Sequence, residues 1–265
     1  MDPFAQFKLS QKERWAHFAP REALTTPTAA RLVRFAGVQP GQRLLDVGCG
    51  TGVVAITSAL VGADVSALDL TPELLELARE NARIAGVKVK WQEGDAEQLP
   101  FGDAEFDVVL SQFAHIFAPR PDVVVAEMLR VLKPGGTIAF STWPPEHLIG
   151  RTTELIARSM PGPPSGILSP TLWGVPDIVR QRLGPAVKEI IFDRDCMLSP
   201  ALSLQHYRAN VERTAGPIAE LTALLSASNP EGLVMFRQQF DAIVADYLKD
   251  NVARQDYLLT RAVKC

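Results

Sequence analysis

Leu44-Leu45-Asp46-Val47-Gly48-Cys49-Gly50-Thr51-Gly52 is the stretch whose reading decides the fold. Leu44, Leu45 and Val47 read as a buried strand. The three alternating glycines after Asp46 make a turn in which no side chain holds a ligand off the backbone. Val53-Val54-Ala55-Ile56 then opens a helix. A strand, a glycine turn and a helix N-terminus form a nucleotide-binding corner, because the first helical amides point at whatever sits in the turn.

Working outward, residues 43 to 143 alternate strand and helix with short connections, the pattern of a parallel sheet wrapped by helices. Strands are expected at 43–47, 64–69, 87–92, 106–111 and 136–142. Gly62 ends the first helix, Thr71-Pro72 starts a second that Gly86 stops, and a third runs from Pro121 to Leu132 before Lys133-Pro134-Gly135-Gly136 breaks it. Upstream, Thr26-Pro27 predicts a helix start with Thr26 as N-cap and Gly37 as the close. Residues 1–25 are then a leading arm whose Phe4, Phe7, Trp15 and Phe18 read as packing residues.

Downstream, helical stretches at 146–160 and 171–183 flank a Pro/Gly-rich loop at 161–166, and strand character returns at 187–194. Helical periodicity fills 201–251, interrupted at Gly216-Pro217 and Asn229-Pro230-Glu231-Gly232, and 256–263 reads as a last strand. Roughly sixty residues between the last two strands are too many for a connecting loop, so a helical cap is expected there. The expected organisation is an arm (1–25), a nucleotide-binding domain (26–200 and 252–265) and a cap or substrate region (201–251). A cap beside the ends of parallel strands is where a substrate pocket belongs.

The 265 residues are 47% hydrophobic with a net charge of -3, the balance of a globular chain able to bury one large core. No run of Lys or Arg offers the clustered cations that nucleic-acid phosphates demand, which argues against nucleic acid as a partner. The first fifteen residues lack the apolar core of a signal peptide, and no stretch has the apolar length of a membrane span, so the cytoplasm is the expected location. Cys49, Cys196 and Cys265 are odd in number and far apart, and no H-x-x-x-H or C-x-x-C spacing occurs, which argues against a disulfide framework and a bound metal.

The turn reads G-x-G-x-G, with Val53 where a dinucleotide fingerprint places its third glycine. A second acid, Asp69, ends the next strand, placed to accept hydrogen bonds from both ribose hydroxyls. Asp95 follows the third strand in Gly94-Asp95-Ala96-Glu97-Gln98-Leu99-Pro100-Phe101, where its carboxylate can take the exocyclic amine of an adenine while the Ala96 backbone meets the ring edge. Three acids at three strand ends suit a neutral or cationic nucleoside and repel a pyrophosphate.

LLDVGCGTG, Asp69 in ALDLTPE, GDAEQLPF, FDVVLSQ and LKPGG, in that order, resemble the class I S-adenosylmethionine-dependent methyltransferases, in particular the group similar to ubiquinone and menaquinone C-methyltransferases. The resemblance covers about residues 40–143. It implies an α/β, Rossmann-like sheet of seven strands with the last antiparallel, a helical cap inserted before that strand, and S-adenosyl-L-methionine as cofactor. It puts the methionine end of the cofactor against Gly48 and Gly50 with Asp46 near the amino group, the ribose on Asp69, and the adenine on Asp95 and Ala96. Thr51, Gly52 and Leu70 join the implied contacts, and Ser111 with Gln112 would face the methionine portion. The family's amino-methylating branch carries Asn or Asp, Pro-Pro and an aromatic where this chain has Ser111-Gln112-Phe113-Ala114, which argues against methylation of a base or a glutamine amide.

Methyl transfer from a sulfonium is a direct displacement, so alignment and water exclusion are the main tasks, and a general base is needed only if the acceptor holds its proton. His115, just past the fourth strand, reads either as that base or as a structural loop residue. His206, with Tyr207 and Arg208, reads as pocket lining or as a solvated helix face. The leading expectation is methyl transfer to a small or medium-sized apolar molecule. An NAD-type oxidoreductase and a non-catalytic binder of the cofactor are the competing readings. A cap can also serve as a dimer surface, so a homodimer stays open.

Overall fold

The protein is described from a computed structural model, which covers residues 4–16, 19–160 and 166–265. Phe18 and most of the 161–166 loop lie outside the described residues. The strands are β1 (Arg43–Val47), β2 (Asp64–Asp69), β3 (Lys90–Glu93), β4 (Phe106–Gln112), β5 (Leu132–Thr142), β6 (Val187–Pro200), β7 (Leu248–Lys249) and β8 (Val252–Lys264). They form one sheet in the order β3-β2-β1-β4-β5-β8-β6, with β7 paired to β8. Strands β1 to β5 are parallel, and β8 runs antiparallel to both β5 and β6. The seven expected strands make the path; the two-residue β7, a hairpin partner of β8, adds an eighth.

Both faces of the sheet are covered, and the period-two alternation of the strands divides the core accordingly. Leu44, Val108 and Leu110 face one cluster with α2 (Glu22–Ala36) and α3 (Val53–Leu60). Leu45, Val47 and Val109 face the other, with α5 (Pro121–Val131) and α7 (Pro176–Leu183). Helix α4 (Pro72–Ala85) shows how local signals fix an element: Pro72 opens it, Gly86 closes it in the left-handed region, and Leu74, Leu75, Ala78 and Ala82 are its buried stripe.

A third cluster joins α6 (Leu148–Ser159) to α8 (Leu204–Thr214), α9 (Gly216–Ser228) and α10 (Pro230–Ala245) through Leu148, Tyr207, Val211, Leu221 and Phe240. The last three helices lie between β6 and β7 in sequence, so the insertion precedes the final strand. The breaks at Gly216-Pro217 and Asn229-Pro230 coincide with helix starts, Asn229 capping α10 through the Gly232 amide.

Several boundaries differ from the sequence reading. Helix α2 starts at Glu22, not Thr26: a 3-10 turn (Ala19–Arg21) feeds straight into it, and the Thr25 and Thr26 hydroxyls donate back to the Glu22 carbonyl instead of capping. Pro27 sits inside the helix, tolerated because Ala23, whose carbonyl loses its donor, is exposed. Strand β5 begins at Leu132, the glycines forming an irregular start with Gly135 in the left-handed region instead of a loop. Strands β6 and β8 extend past their expected ends because they pair with each other from Val187↔Lys264 to Pro200↔Val252. Helix α7 is shorter than expected, its first part being a 3-10 turn (Pro170–Gly174). The leading arm carries helix α1 (Ala5–Trp15). Among the described residues no helix is long and apolar enough to cross a membrane.

Candidate active site

The sheet order reverses at β1, which has β2 on one side and β4 on the other, so a crevice opens at the C-terminal ends of these strands. The glycine turn lies at its centre. Gly48 has φ +70° and its Cβ, were there one, would stand 2.3 Å from the Ala114 Cβ, so the β4 exit packs directly on the turn. Gly50 has φ +54° with open space on its side-chain side, leaving its backbone accessible.

Asp46 is 1% exposed at the end of β1, and neither carboxylate oxygen has a hydrogen-bond partner. Burial pushes its pKa up to about 8; the Ala55 amide pulls the other way without reaching hydrogen-bonding geometry, and the charge of Asp69 adds to the rise. Asp69, ending β2, accepts from the Gly50 amide at 2.7 Å and the Thr71 amide at 2.9 Å, tying the glycine turn to the start of α4. Burial raises its pKa against those two amides.

Asp95 lies beyond β3. One oxygen accepts from the Glu97 amide at 2.9 Å, and the other from Lys8 Nζ of the arm at 2.6 Å. Lys8 also reaches Glu97 at 2.5 Å, and Glu97 in turn holds Arg120 at 2.6 Å. Further along α1, Lys12 pairs with Glu93, Arg14 with Glu220, and the Trp15 ring lies 4.7 Å from Phe117. The arm is thus a roof running from the sheet edge to the cap.

A cavity of about 350 Å³ lies beneath it, lined by Asp46, Gly48, Gly50, Thr51, Asp69, Leu70, Asp95, Ala96, Gln112 and His115 of the expected residues. Gly52 and Ser111 do not line it. Gly52 stands at the N-cap of α3, and the fully buried Ser111 donates to the Val47 carbonyl at 2.7 Å and accepts from the His115 amide, joining β4 to β1 behind the turn. Gln112 donates to the Thr25 carbonyl and Thr28 hydroxyl of α2, leaving its Oε1 buried and without a donor.

His115 is 2% exposed, its ring set edge-on to Trp173 and tilted against Phe140, with neither nitrogen hydrogen-bonded. Burial, with a smaller push from Arg182, lowers its pKa to about 3. A neutral imidazole of such low proton affinity, with no partner to orient it, is a poor general base, so this geometry favours the structural reading.

Sequence reasoning missed the far half of the cavity. Phe113 takes φ +57°, a left-handed conformation rare for a bulky residue, and stacks on Trp143 at 3.9 Å. Arg21, Met197, Phe240 and Gln255 also line the space. Of the cap trio, only Tyr207 does so: His206 is exposed and bonds the Leu202 amide, and Arg208 pairs with Asp241. Helical spacing offered the cap's apolar face but no register against the sheet, so these contacts had no local signal.

The unpartnered carboxylate of Asp46 and the orphaned Gln112 Oε1 fit a ligand that brings N–H donors and positive charge, while Asp69 keeps lone pairs for hydroxyls. A family model described as a methyltransferase domain matches residues 45–140. An uncharacterized protein of Mycobacterium tuberculosis is 34% identical over 260 residues, 97% of this chain and 94% of its own. A ubiquinone biosynthesis O-methyltransferase of Bordetella avium is 32% identical over 143 residues, 54% of this chain and 59% of its own. The solved YcgJ protein of Bacillus subtilis shares the fold with a TM-score of 0.60 at 21% identity, covering 89% of this chain and 97% of that one. Residues 45–140 of the chain thus carry a methyltransferase domain.

Proposed function

We propose that this methyltransferase moves a methyl group to a small or medium-sized, mainly apolar molecule held between the strand ends and the helical cap. The observation behind this reading is the make-up of the far half of the cavity, where Phe113, Trp143, Ile149, Met197 and Phe240 leave few polar atoms for an acceptor to meet. A cavity of about 350 Å³ that also takes the donor leaves room for a compact acceptor.

On the donor side, Asp46 and Gln112 Oε1 receive the amino group, the Gly48 and Gly50 backbone flanks the methionine portion, Thr51 and Leu70 complete the wall, Asp69 holds the ribose, and Asp95 with Ala96 meets the adenine. Lys8 shares the Asp95 carboxylate and so couples the arm to the adenine end. The bound sulfonium supplies the methyl group. The protein's residues align the acceptor and keep water out: the Phe113–Trp143 stack gives the acceptor a flat wall, and the arm covers the opening. With His115 neutral and enclosed, the acceptor is expected to arrive ionised or already nucleophilic.

The test is release of S-adenosylhomocysteine across a library of apolar small molecules, polar metabolites, peptides and oligonucleotides. Turnover confined to apolar small molecules is expected. Turnover confined to peptides or oligonucleotides refutes the reading.

A further inference from the structure

Many cations among the described residues are matched to carboxylates; Arg182 and Arg261, each with a buried nitrogen lacking a hydrogen-bond partner, are not, but neither lines the cavity. Arg31 sits against Asp193 and Asp195, Arg120 against Glu97, Arg130 against Glu127, Arg208 against Asp241, and Arg237 against Glu212. Arg21 departs from this. It ends the 3-10 turn that feeds α2, is partly buried, and lines the cavity, yet among the described residues its guanidinium has neither a hydrogen bond nor an ion pair. Taking a guanidinium out of water without a partner is costly, which a folded chain tolerates where a ligand supplies the counter-charge.

The surroundings of Arg21 say which end of the cavity it serves. Its charge acts on Tyr207 of α8, and on no carboxylate at the donor end. Tyr207 is 3% exposed, stacks on Phe240 of α10, and its hydroxyl oxygen accepts from Gln255 Nε2 of β8 at 3.1 Å. That bond occupies a lone pair and leaves the phenolic proton free to point into the cavity. A cation from the start of α2 and an O–H donor from the cap therefore line the same space, whose walls are largely apolar.

We infer that the acceptor is an apolar organic anion, bearing a carboxylate that Arg21 receives with the Tyr207 hydroxyl beside it. This rests on the proposed function and adds the chemical class of the substrate. The role is recognition, and it leaves open which acceptor atom takes the methyl group. It also gives the acceptor a fixed end, so that the methylated atom is set by its distance from the carboxylate.

The experiment measures binding to the protein loaded with S-adenosylhomocysteine, using octanoate against octanamide and cinnamate against cinnamamide, in the wild type, R21Q and R21K. At least one carboxylate is expected to bind the wild type about 10-fold or more tighter than its amide, the loss expected for a charge-assisted hydrogen bond. The ratio should fall to about one in R21Q and be partly restored in R21K. Affinity of R21Q for S-adenosylhomocysteine should stay at the wild-type value, which also reports that the variant is folded. Equal binding of acid and amide, no binding of any probe, or a preference that survives in R21Q overturns the inference. So does weakened S-adenosylhomocysteine binding by R21Q with 5′-methylthioadenosine binding intact, which would assign Arg21 to the donor's own carboxylate. Failure of the wild type to bind S-adenosylhomocysteine would strike the proposed donor site instead.

Discussion

Replacing Asp46 with Asn separates what this carboxyl costs the folded chain from what it offers the donor. The carboxyl is 1% exposed and unpartnered, and its pKa stands at about 8 against an ordinary value of 3.8. The native state therefore holds a proton that the unfolded chain releases. Stability from this group is fully present below pH ~4 and is lost as pH rises from ~4 to ~8, at about 1.4 kcal/mol per pH unit. By pH 7 the loss is on the order of 4 kcal/mol, a large share of ordinary domain stability. Asp46→Asn cannot titrate, so the ligand-free variant should match the wild type below pH ~4 and exceed it increasingly up to pH ~8 in urea or thermal unfolding.

Donor binding reverses the balance, because an amino group beside Asp46 favours the carboxylate. At pH 7 a group of pKa about 8 is about nine-tenths protonated, so binding of S-adenosylhomocysteine should release close to one proton. Calorimetry in buffers of different ionisation enthalpy measures that number directly. Asp46→Asn should bind more weakly and release none of this proton. Proton release unchanged in the variant, or none in the wild type, refutes the assignment of Asp46 to the amino group. A wild type whose stability is flat from pH 5 to pH 8 refutes the buried-proton argument itself.

Three further outcomes follow from single contacts. Lys8→Ala removes the arm's hold on Asp95 and Glu97, so S-adenosylhomocysteine should dissociate several-fold faster in stopped-flow displacement, the roof opening more often. Gly48→Ala places a Cβ 2.3 Å from the Ala114 Cβ at φ +70°, and should cost about 2–4 kcal/mol in denaturant unfolding along with donor affinity. His115→Ala empties a niche between Phe140 and Trp173, so it should lower Tm, while kcat of the folded fraction is spared the 100-fold or greater loss that removal of a general base brings.

The strand-end half of the cavity was legible because its signals are local. The glycines at 48 and 50, the acid ending each of two strands, and Asp95 two residues beyond a third all follow from where a strand stops, and strands stop where the sequence changes character. Ser111 shows the limit of that logic: it lies one residue before the end of β4, but the pleat turns it behind the turn toward the Val47 carbonyl, and a shift of one residue decides which face a side chain meets. Arg21, Phe113, Trp143 and Gln255 were not legible because their common feature is convergence across α2, β4, β5 and β8, which depends on long-range pairing. The start of α2 failed for a smaller reason: Thr26-Pro27 has the form of a cap, but the turn before it already supplied a helical entry, and the threonines became internal donors.

The distribution of unsatisfied groups joins these two halves. Away from the cavity many acids and bases are paired: Asp107 with Lys133, and Glu127 with Arg130 and the Leu99 amide. Asp46, Thr51, Gln112, His115 and Gln255 each leave a buried polar atom without a partner, and all five line the same cavity, as does the unpaired Arg21. Each such atom costs about 1–3 kcal/mol when it stays unmet. The cavity gathers a large part of this penalty among the described residues, the rest being scattered over Ser58, Ser141, Arg182, Asp241, Thr260 and Arg261, and under the proposed assignment the donor would relieve Asp46 and Gln112 and the acceptor Arg21. His115 is outside this scheme, since its depressed pKa lets it remain neutral among aromatic rings at little cost in charge. It follows that donor and acceptor should stabilise the chain in separable steps, the first acting on the glycine turn and strand ends, the second on the junction of α2 with the cap.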